Sequence, residues 1–452
     1  MLTCFYALGG INYKNGVITT CPRQANQLVF ANETILPSEI FNHKNFKELR
    51  KTLYNDKWPS GCDTCEEMEK VNAKSMRKDY ILNDENYFCK PPKEINSKKS
   101  FGKLKEERTN KKLIDCYDQV DHSVTFDGLR HLEFRFSTAC NFSCLHCSKV
   151  YSSGWTKKLK NYIPDEEDHL NDLRQLLGTE HRHGPNDKNE MSLKTEEALK
   201  IVDDLNENFP LLQYVDFAGG ELLYQKQFFP TLKKLAEHPN AKNIMISFHT
   251  NFNADFSVEE LSKHLEPFHS SVILISVDAG KTFYSYFRHG GKWDKLKNNI
   301  KEFKKINDFS HVDISCTTSI YQMLDIYDVF ESFIELDCWF DASLVQTPKY
   351  LDPSLIMLDF KEDTLKDIAK TYDMLDKNPK TKSLNYQTKD GLSAKYWLDY
   401  IVNYVKNFKP RYNDYNRFLI YRKKSDQIWG QNFNDYFKKY KIDEHNELVR
   451  VE

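Results

Sequence analysis

Arg135-Phe136-Ser137-Thr138-Ala139-Cys140-Asn141-Phe142-Ser143-Cys144-Leu145-His146-Cys147 is the stretch that decides the fold, and its cysteines are separated by three and then two residues. Three thiolates on one short loop can hold three corners of a 4Fe-4S cube, because such clusters are bound by cysteine sulfur. One iron is then left without a protein ligand, and an open metal position is where a small chelating molecule binds and reacts. The competing reading is a zinc knuckle, which needs a fourth Cys or His. His146 lies inside the loop, too constrained to complete a tetrahedron with its neighbours. Residues 132–136 have a strand pattern, so the cysteines leave a strand at its C-terminal end.

Downstream, short β-type runs alternate with helical patterns, which is the mark of βα units on a parallel sheet. Strands are expected at 214–218, 244–248, 272–277, 312–316 and 342–346, making six with the first. Amphipathic helices are expected at 194–208, 228–237, 258–265, 293–307 and 327–336. The economical fold is α/β, a partial (β/α)6 TIM-like barrel over residues 129–350. It is flanked by a small N-terminal cysteine module (1–90), a linker (91–128) and a helical C-terminal extension (351–452). In such barrels the chemistry sits at the C-terminal strand ends. The second strand ends in Gly219-Gly220-Glu221, where glycines allow a close backbone approach to a ligand and a carboxylate can accept from an ammonium. The third ends in His249-Thr250-Asn251 and the fourth in Ser276-Val277-Asp278, with Arg288 ten residues further on. Ser315 and Thr317 at the fifth strand and Gln346 at the sixth are ligand contacts by position alone.

The cysteine loop after a first strand, in phase with Gly-Gly-Glu one unit later, resembles the radical SAM superfamily. That resemblance implies a 4Fe-4S cluster on Cys140, Cys144 and Cys147. It also implies S-adenosylmethionine chelating the open iron, and reductive cleavage to a 5′-deoxyadenosyl radical that abstracts hydrogen from a substrate. By the same resemblance Gly219, Gly220 and Glu221 contact the methionine amino group. Ser276 or Asp278 serves the ribose hydroxyls, and Arg288 the methionine carboxylate, which a guanidinium suits. The family often has an aromatic residue before the third cysteine, and His146 stands there. An external one-electron reductant such as flavodoxin or ferredoxin is implied as a partner.

Upstream stand Cys4, Cys21 and the pair Cys62-x2-Cys65, four ligands in all, enough to close a tetrahedral zinc site or hold a second iron-sulfur cluster. The order Cys, Gly16-x4-Cys21, then Cys62-x2-Cys65-x3-Glu69 with Ser75 and Arg77 resembles the auxiliary modules called twitch and SPASM. In those families the module usually follows the barrel, whereas here it precedes it. The resemblance implies an auxiliary 4Fe-4S cluster on these cysteines. Relatives with such clusters often modify peptides or protein side chains, so a peptide-like substrate is expected, with RNA or a small metabolite as alternatives. A non-catalytic zinc-stabilised binding protein is the contrasting reading.

The remaining cysteines, Cys89, Cys116, Cys316 and Cys338, read chiefly as packing thiols. Lys+Arg 64 against Asp+Glu 66 in 452 residues leaves a net charge of -2, so no global field favours nucleic acid or an anionic membrane. The opening residues lack a charged n-region and a long apolar core, and no apolar run reaches about 18 residues. A cytoplasmic, soluble protein is expected, in which the 11 cysteines are better accounted for by metal or redox ligation, with packing for the remaining four, than by disulfides. The aromatic-rich helical tail from Asp359 onward is expected to pack on the open side of the barrel.

Overall fold

The computed structural model describes residues 2, 4–14, 17–22, 24, 28–30, 33–70, 75, 77, 113–149, 151–161, 192–345, 348–378 and 394–451. Gln346, Cys89, the polar stretch 165–189 and residues 91–112 lie outside them.

The strands in chain order are β1 (Gly10–Lys14), β2 (Val17–Thr19), β3 (Val29–Phe30), β4 (His131–Arg135), β5 (Ser143–Cys144), β6 (Tyr214–Ala218), β7 (Met245–Thr250), β8 (Ser270–Ser276), β9 (Arg288–His289), β10 (Ser310–Thr318), β11 (Trp339–Leu344), β12 (Tyr440–Ile442) and β13 (Leu448–Arg450). Nine of them form one sheet in the order β11-β10-β8-β7-β6-β4-β1-β2-β3. Every pairing from β11 to β1 is parallel, and β2 and β3 add an antiparallel edge. Parallel neighbours need long crossovers, and the helices between them supply these.

All six strands expected from the pattern are present. The sheet does not begin near Leu129, however. β1 pairs in parallel with β4, Ile11 opposite Leu132 and Tyr13 opposite Phe134, so the N-terminal segment contributes a seventh parallel strand. The cause is legible afterwards: Gly10–Lys14 alternates in the phase of the other strands, with Ile11 and Tyr13 buried in the same core as Leu132 and Phe134. Residues 113–128, assigned to the linker, also pack, with Leu113, Cys116 and Val124 buried.

The alternation within each strand puts two chemistries on two faces. Leu132, Phe134, Val215, Phe217, Ile246, Phe248, Ile273, Ile275, Ile314 and Cys316 form one face and are buried. The helices Thr195–Asn208, Phe228–Leu235, Val258–Leu265, Trp293–Ile306 and Ile326–Leu336 pack in sequence, each against the next. The other face carries Glu133, Arg135, Asp216, Ser247, His249, Ser276, Asp313, Ser315 and Asp341. One face is thus an apolar joint to helices and the other a polar interior, as a partial barrel requires.

At the C-terminal end, helix Ala394–Asn407 packs along the edge strand β11, covering backbone that would otherwise stand unpaired. Helix Tyr412–Trp429 ends on Gly430 in a left-handed conformation (φ 63°) and packs against helix Ser153–Asn161, which follows the cysteine loop. Among the described residues no helix is long and apolar enough to cross a membrane.

Candidate functional site

The cysteine loop leaves β4 and is held on three sides. Helix Ser153–Asn161 seats on it from outside. Ser153 Oγ accepts from the Cys140 N–H at 3.2 Å and Trp155 Nε1 donates to the Cys144 carbonyl at 2.9 Å. Gly154 has no room for a side chain, since a Cβ there would stand 2.5 Å from the Phe142 carbonyl oxygen. From the C-terminal side the buried Tyr421 hydroxyl donates to the Leu145 carbonyl. From the barrel, β9 pairs antiparallel with β5, Arg288 opposite Cys144.

The three thiols share one neighbourhood. Burial pushes Cys140 up to about 12, with Cys144 adding to the effect. Burial also raises Cys144 and Cys147, and Cys147 feels both other sulfurs. A donor set of this kind, three thiols within mutual electrostatic range on one loop, fits a group with three thiolate ligands, whose positive charge would favour the thiolates.

The Gly-Gly-Glu turn after β6 is built against this loop. Gly219 and Gly220 have positive φ (87° and 53°), and a Cβ on Gly220 would lie 2.3 Å from the Ala139 carbonyl oxygen. The glycines therefore bring the backbone close to the cysteine loop itself, where the sequence pointed to a ligand. The Glu221 N–H donates to the Ala139 carbonyl at 2.9 Å. The buried Gln225 amide reaches the Ala139 and Gly219 carbonyls at 3.1 and 3.0 Å. The Glu221 carboxylate accepts from Thr250 Oγ1 (2.6 Å), Leu223 N (3.1 Å) and Asn251 N (2.5 Å), tying the ends of β6 and β7 together. Burial raises its pKa, and those hydrogen bonds together with Arg288 work against that rise. Asn251 Nδ2 then donates to Asn141 Oδ1 at 2.8 Å, closing a circuit back to the loop.

Asp278 and Arg288, named separately from the sequence, form a buried pair. Arg288 donates through Nε at 3.0 Å and through Nη2 to Asp278 Oδ2, while Thr317 N–H donates to Oδ1 at 2.6 Å. Burial alone would raise Asp278, but Arg288, His146 and the Thr317 N–H outweigh it and hold the carboxyl below its usual range. His146 Nε2 lies 3.5 Å from Asp278 Oδ2. Its ring stacks on Phe287 with centroids 5.2 Å apart, and burial lowers its pKa, so the aromatic position of the loop keeps a stacked ring. His146 Nδ1 is buried and has no hydrogen-bond partner among the described residues. Ser276 closes β8 opposite Ser315. No hydrogen bond among the described residues joins it to the pair. His249 opens into the polar interior, pushed down to about 4 by burial and Arg135.

The upstream cysteines also meet. Cys4, Cys21, Cys62 and Cys65 line one cavity together with Thr20, Trp58 and Arg77. Burial pushes Cys62 up to about 12, with Cys4 and Cys65 next in effect. The cavity's rim is stiffened by polar bonds. Ser75 Oγ and Arg77 Nε donate to Glu69 Oε1 at 2.5 and 2.9 Å, and Arg77 lies over the Trp58 ring at 5.4 Å. Gln24 Oε1 accepts from Thr20 N and Oγ1 at 3.2 and 3.1 Å. Among the described residues no three His, Cys, Asp or Glu side chains converge on a single point that could hold one metal ion; the four cysteines surround a space. Cys116, Cys316 and Cys338 are buried, as expected of packing thiols.

Trp155, Gln225, Asn141 and Tyr421 were missed by the sequence reading. Gln225 and Tyr421 bond the loop, and Asn251 bonds Asn141 within it, across 86 to 276 residues, while Trp155 reaches back 11 residues to Cys144, and no local spacing signals any of these.

Residues 134–323 match the family model described as "Radical SAM superfamily". No curated protein sequence matches the chain. Among solved structures, native anSMEcpe with bound AdoMet is 18% identical, with 54% of this chain and 60% of that one covered, at a TM-score of 0.36. Streptococcus suis SuiB bound to precursor peptide SuiA is 12% identical over 73% of this chain and 64% of that one, at 0.33. TYW1 with a lysine-pyruvate adduct is 18% identical over 53% and 70%, at 0.27. The chain thus spans 60% of anSMEcpe and 64% of SuiB.

Proposed function

We propose that this chain, whose residues 134–323 match the radical SAM family model, is a radical SAM enzyme that binds a 4Fe-4S cluster through Cys140, Cys144 and Cys147, with S-adenosylmethionine at its open iron. The cysteine loop locked against Gly219-Gly220-Glu221 is the observation that carries this reading. When bound and reduced, the cluster supplies the electron that cleaves S-adenosylmethionine to a 5′-deoxyadenosyl radical, which takes a hydrogen atom from the substrate.

The chain's own residues bind, orient and shield. Glu221 keeps lone pairs on Oε2 for an ammonium while its other bonds fix its direction. Arg288 is oriented by Asp278 through Nε and Nη2 and makes no hydrogen bond through Nη1 among the described residues, which leaves that nitrogen for a ligand carboxylate. Ser276 and Asp278 stand at the end of β8 for ribose hydroxyls, and His146 gives a ring edge beside them. The polar inner face then receives the substrate.

A second 4Fe-4S cluster on Cys4, Cys21, Cys62 and Cys65 belongs to the same proposal, supported by the one cavity that all four line. It makes a peptide or protein side chain the favoured substrate. The module's likeness to twitch and SPASM, a cytoplasmic location and an external one-electron donor are parts of this reading.

Anaerobic reconstitution tests it. About eight irons per chain are expected, falling to about four in Cys62→Ala/Cys65→Ala, with 5′-deoxyadenosine released on reduction. Colourless protein holding zinc, or undiminished 5′-deoxyadenosine from Cys144→Ala, would overturn the ligand assignment. Deuterium passing into 5′-deoxyadenosine from a deuterated peptide pool, and not from a deuterated RNA pool, is expected for the substrate class.

A further inference from the structure

The inner face of β1, β4 and β6 holds a side-chain cluster that the cofactor does not use. Alternation turns Asn12 and Lys14 of β1 away from the buried Ile11 and Tyr13, onto the same face as Glu133 and Arg135 of β4. Register sets Lys14 opposite Arg135, Asn12 opposite Glu133, and Glu133 opposite Asp216 of β6. Arg135 Nε donates to Glu133 Oε1 at 2.5 Å, and the Glu133 side chain is 1% exposed, so a buried acid fixes the guanidinium at its base. The two terminal nitrogens of Arg135 make no hydrogen bond among the described residues, and its side chain is 22% exposed. The result is an anchored fork whose outer nitrogens are open to a ligand. Beside it Asn12 is fully buried with neither amide atom hydrogen-bonded among the described residues, a polar pair that a ligand or water would satisfy. His249, on the same face two strands away, is exposed although its strand lies mid-sheet, as an open interior allows.

Charge at this wall favours an anion. Lys14 is near enough to Arg135 to be depressed by it, after burial, to about 8. Glu133 is the near acid of both cations, while burial pushes Asp216, the next one, well above the ordinary carboxyl range. Asp313 and Asp341 stand on β10 and β11, four and five strands from β4. The wall is also separate from the position of the methionine carboxylate. Asp278, which holds Arg288, follows the end of β8, three strands from β4 and about 14 Å away along the sheet at the usual strand spacing. Arg135 nonetheless adjoins the reactive centre, since a Cβ on Gly219 would stand 3.4 Å from Arg135 Cβ. We propose that Arg135, oriented by Glu133 and reinforced by Lys14, is the specificity-determining contact for the substrate and takes a peptide carboxylate, from an acidic side chain or a free C-terminus. This deepens, and rests on, the reading of a radical enzyme with a peptide substrate. A guanidinium holds a carboxylate through two parallel N–H bonds, and an ammonium beside it adds charge without direction.

Short peptides test it on the cluster-loaded protein by saturation-transfer NMR, with and without S-adenosylmethionine. The probes are acetyl-Gly-Glu-Gly-amide, acetyl-Gly-Gln-Gly-amide and acetyl-Gly-Gly-Gly with a free carboxyl end. At least one acid should bind about tenfold or more tighter than the Gln peptide and weaken with added salt. Which acid does so separates a side chain from a chain end. Arg135→Gln should erase that preference while leaving the Gln peptide unaffected, and Arg135→Lys should restore only part of it, because an ammonium lacks the fork. Should Arg135→Gln fail to fold or to load iron, Lys14→Gln is scored on the same probes and should shrink the preference severalfold. Equal binding of the acidic and Gln peptides, or a preference untouched in the variants, would overturn the proposal. So would a ribodinucleotide held more tightly than either acid, which would assign the fork to a phosphate. Loss of S-adenosylmethionine affinity in Arg135→Gln by the same factor would also refute it, since Arg135 would then serve the cofactor. Failure of the unaltered protein to bind S-adenosylmethionine counts instead against the radical reading, and the peptide preference measured without it is scored separately.

Discussion

Removing one member of the Asp278–Arg288 pair should damage both the barrel and the cysteine loop. The side chains are only 2% and 6% exposed, and the carboxylate receives two donors from Arg288 and one from Thr317. Breaking such a pair leaves a charge in the interior without its counterion, which costs about 3–5 kcal/mol. Arg288→Met should cost less within that range than Asp278→Asn, because Asp278 retains the Thr317 N–H and His146, whereas among the described residues no other carboxylate hydrogen-bonds to Arg288 Nε or Nη2. The Asp278→Asn/Arg288→Met double variant should fall short of the sum of the singles by about 2 kcal/mol, the signature of direct coupling. Urea unfolding followed by tryptophan fluorescence measures all three differences. Because Arg288 lies in β9, opposite Cys144 in β5, the single variants should also hold less iron after reconstitution. Asp278→Asn costing less than about 1 kcal/mol with full iron content would refute the reasoning, since a paired charge this deeply buried cannot lose its partner so cheaply.

Other perturbations have equally definite outcomes. Gly220→Ala forces a Cβ to 2.3 Å from the Ala139 carbonyl at a φ of 53°. It should cost about 1–3 kcal/mol and displace the cysteine loop, read as lowered iron content. Glu221→Gln puts an NH2 against the Thr250 hydroxyl or the Asn251 N–H and should cost about 1–3 kcal/mol. Trp155→Phe loses the bond to the Cys144 carbonyl and should cost about 1 kcal/mol, checked by the same unfolding assay. Asp216 is raised well above the ordinary carboxyl range, first by burial and next by Glu133, and its Oδ1 is buried with no hydrogen-bond partner among the described residues. A raised folded-state pKa means that the stability from its protonated form is whole below the unfolded pKa and is lost as pH rises through the folded one. Asp216→Asn should therefore raise stability at neutral and alkaline pH and flatten its decline; a decline of unchanged slope would contradict this.

The local pattern was enough to place the six βα strands, the cysteine loop and the Gly-Gly-Glu turn, because each is written in nearest-neighbour chemistry. Strands declare themselves by a period of two, and a three-cysteine loop by its spacing. The strand Gly10–Lys14 escaped, although its alternation is as regular, because it pairs with a strand more than a hundred residues away and nothing local tells a sheet strand from a module strand. The four upstream cysteines were named from the chain, yet their assembly around one cavity depends on a fold that brings Cys4 and Cys21 to Cys62 and Cys65. Side-chain commitments were least visible. Arg288 and Asp278 read as two ligand contacts, and only the packing shows that a buried guanidinium needs a buried carboxylate beside it. The cysteine spacing alone determined which chemistry this chain could support. Trp155, Gln225 and Tyr421 decide how that loop is held, and their bonds to it cross up to 276 residues, a distance no sequence window spans.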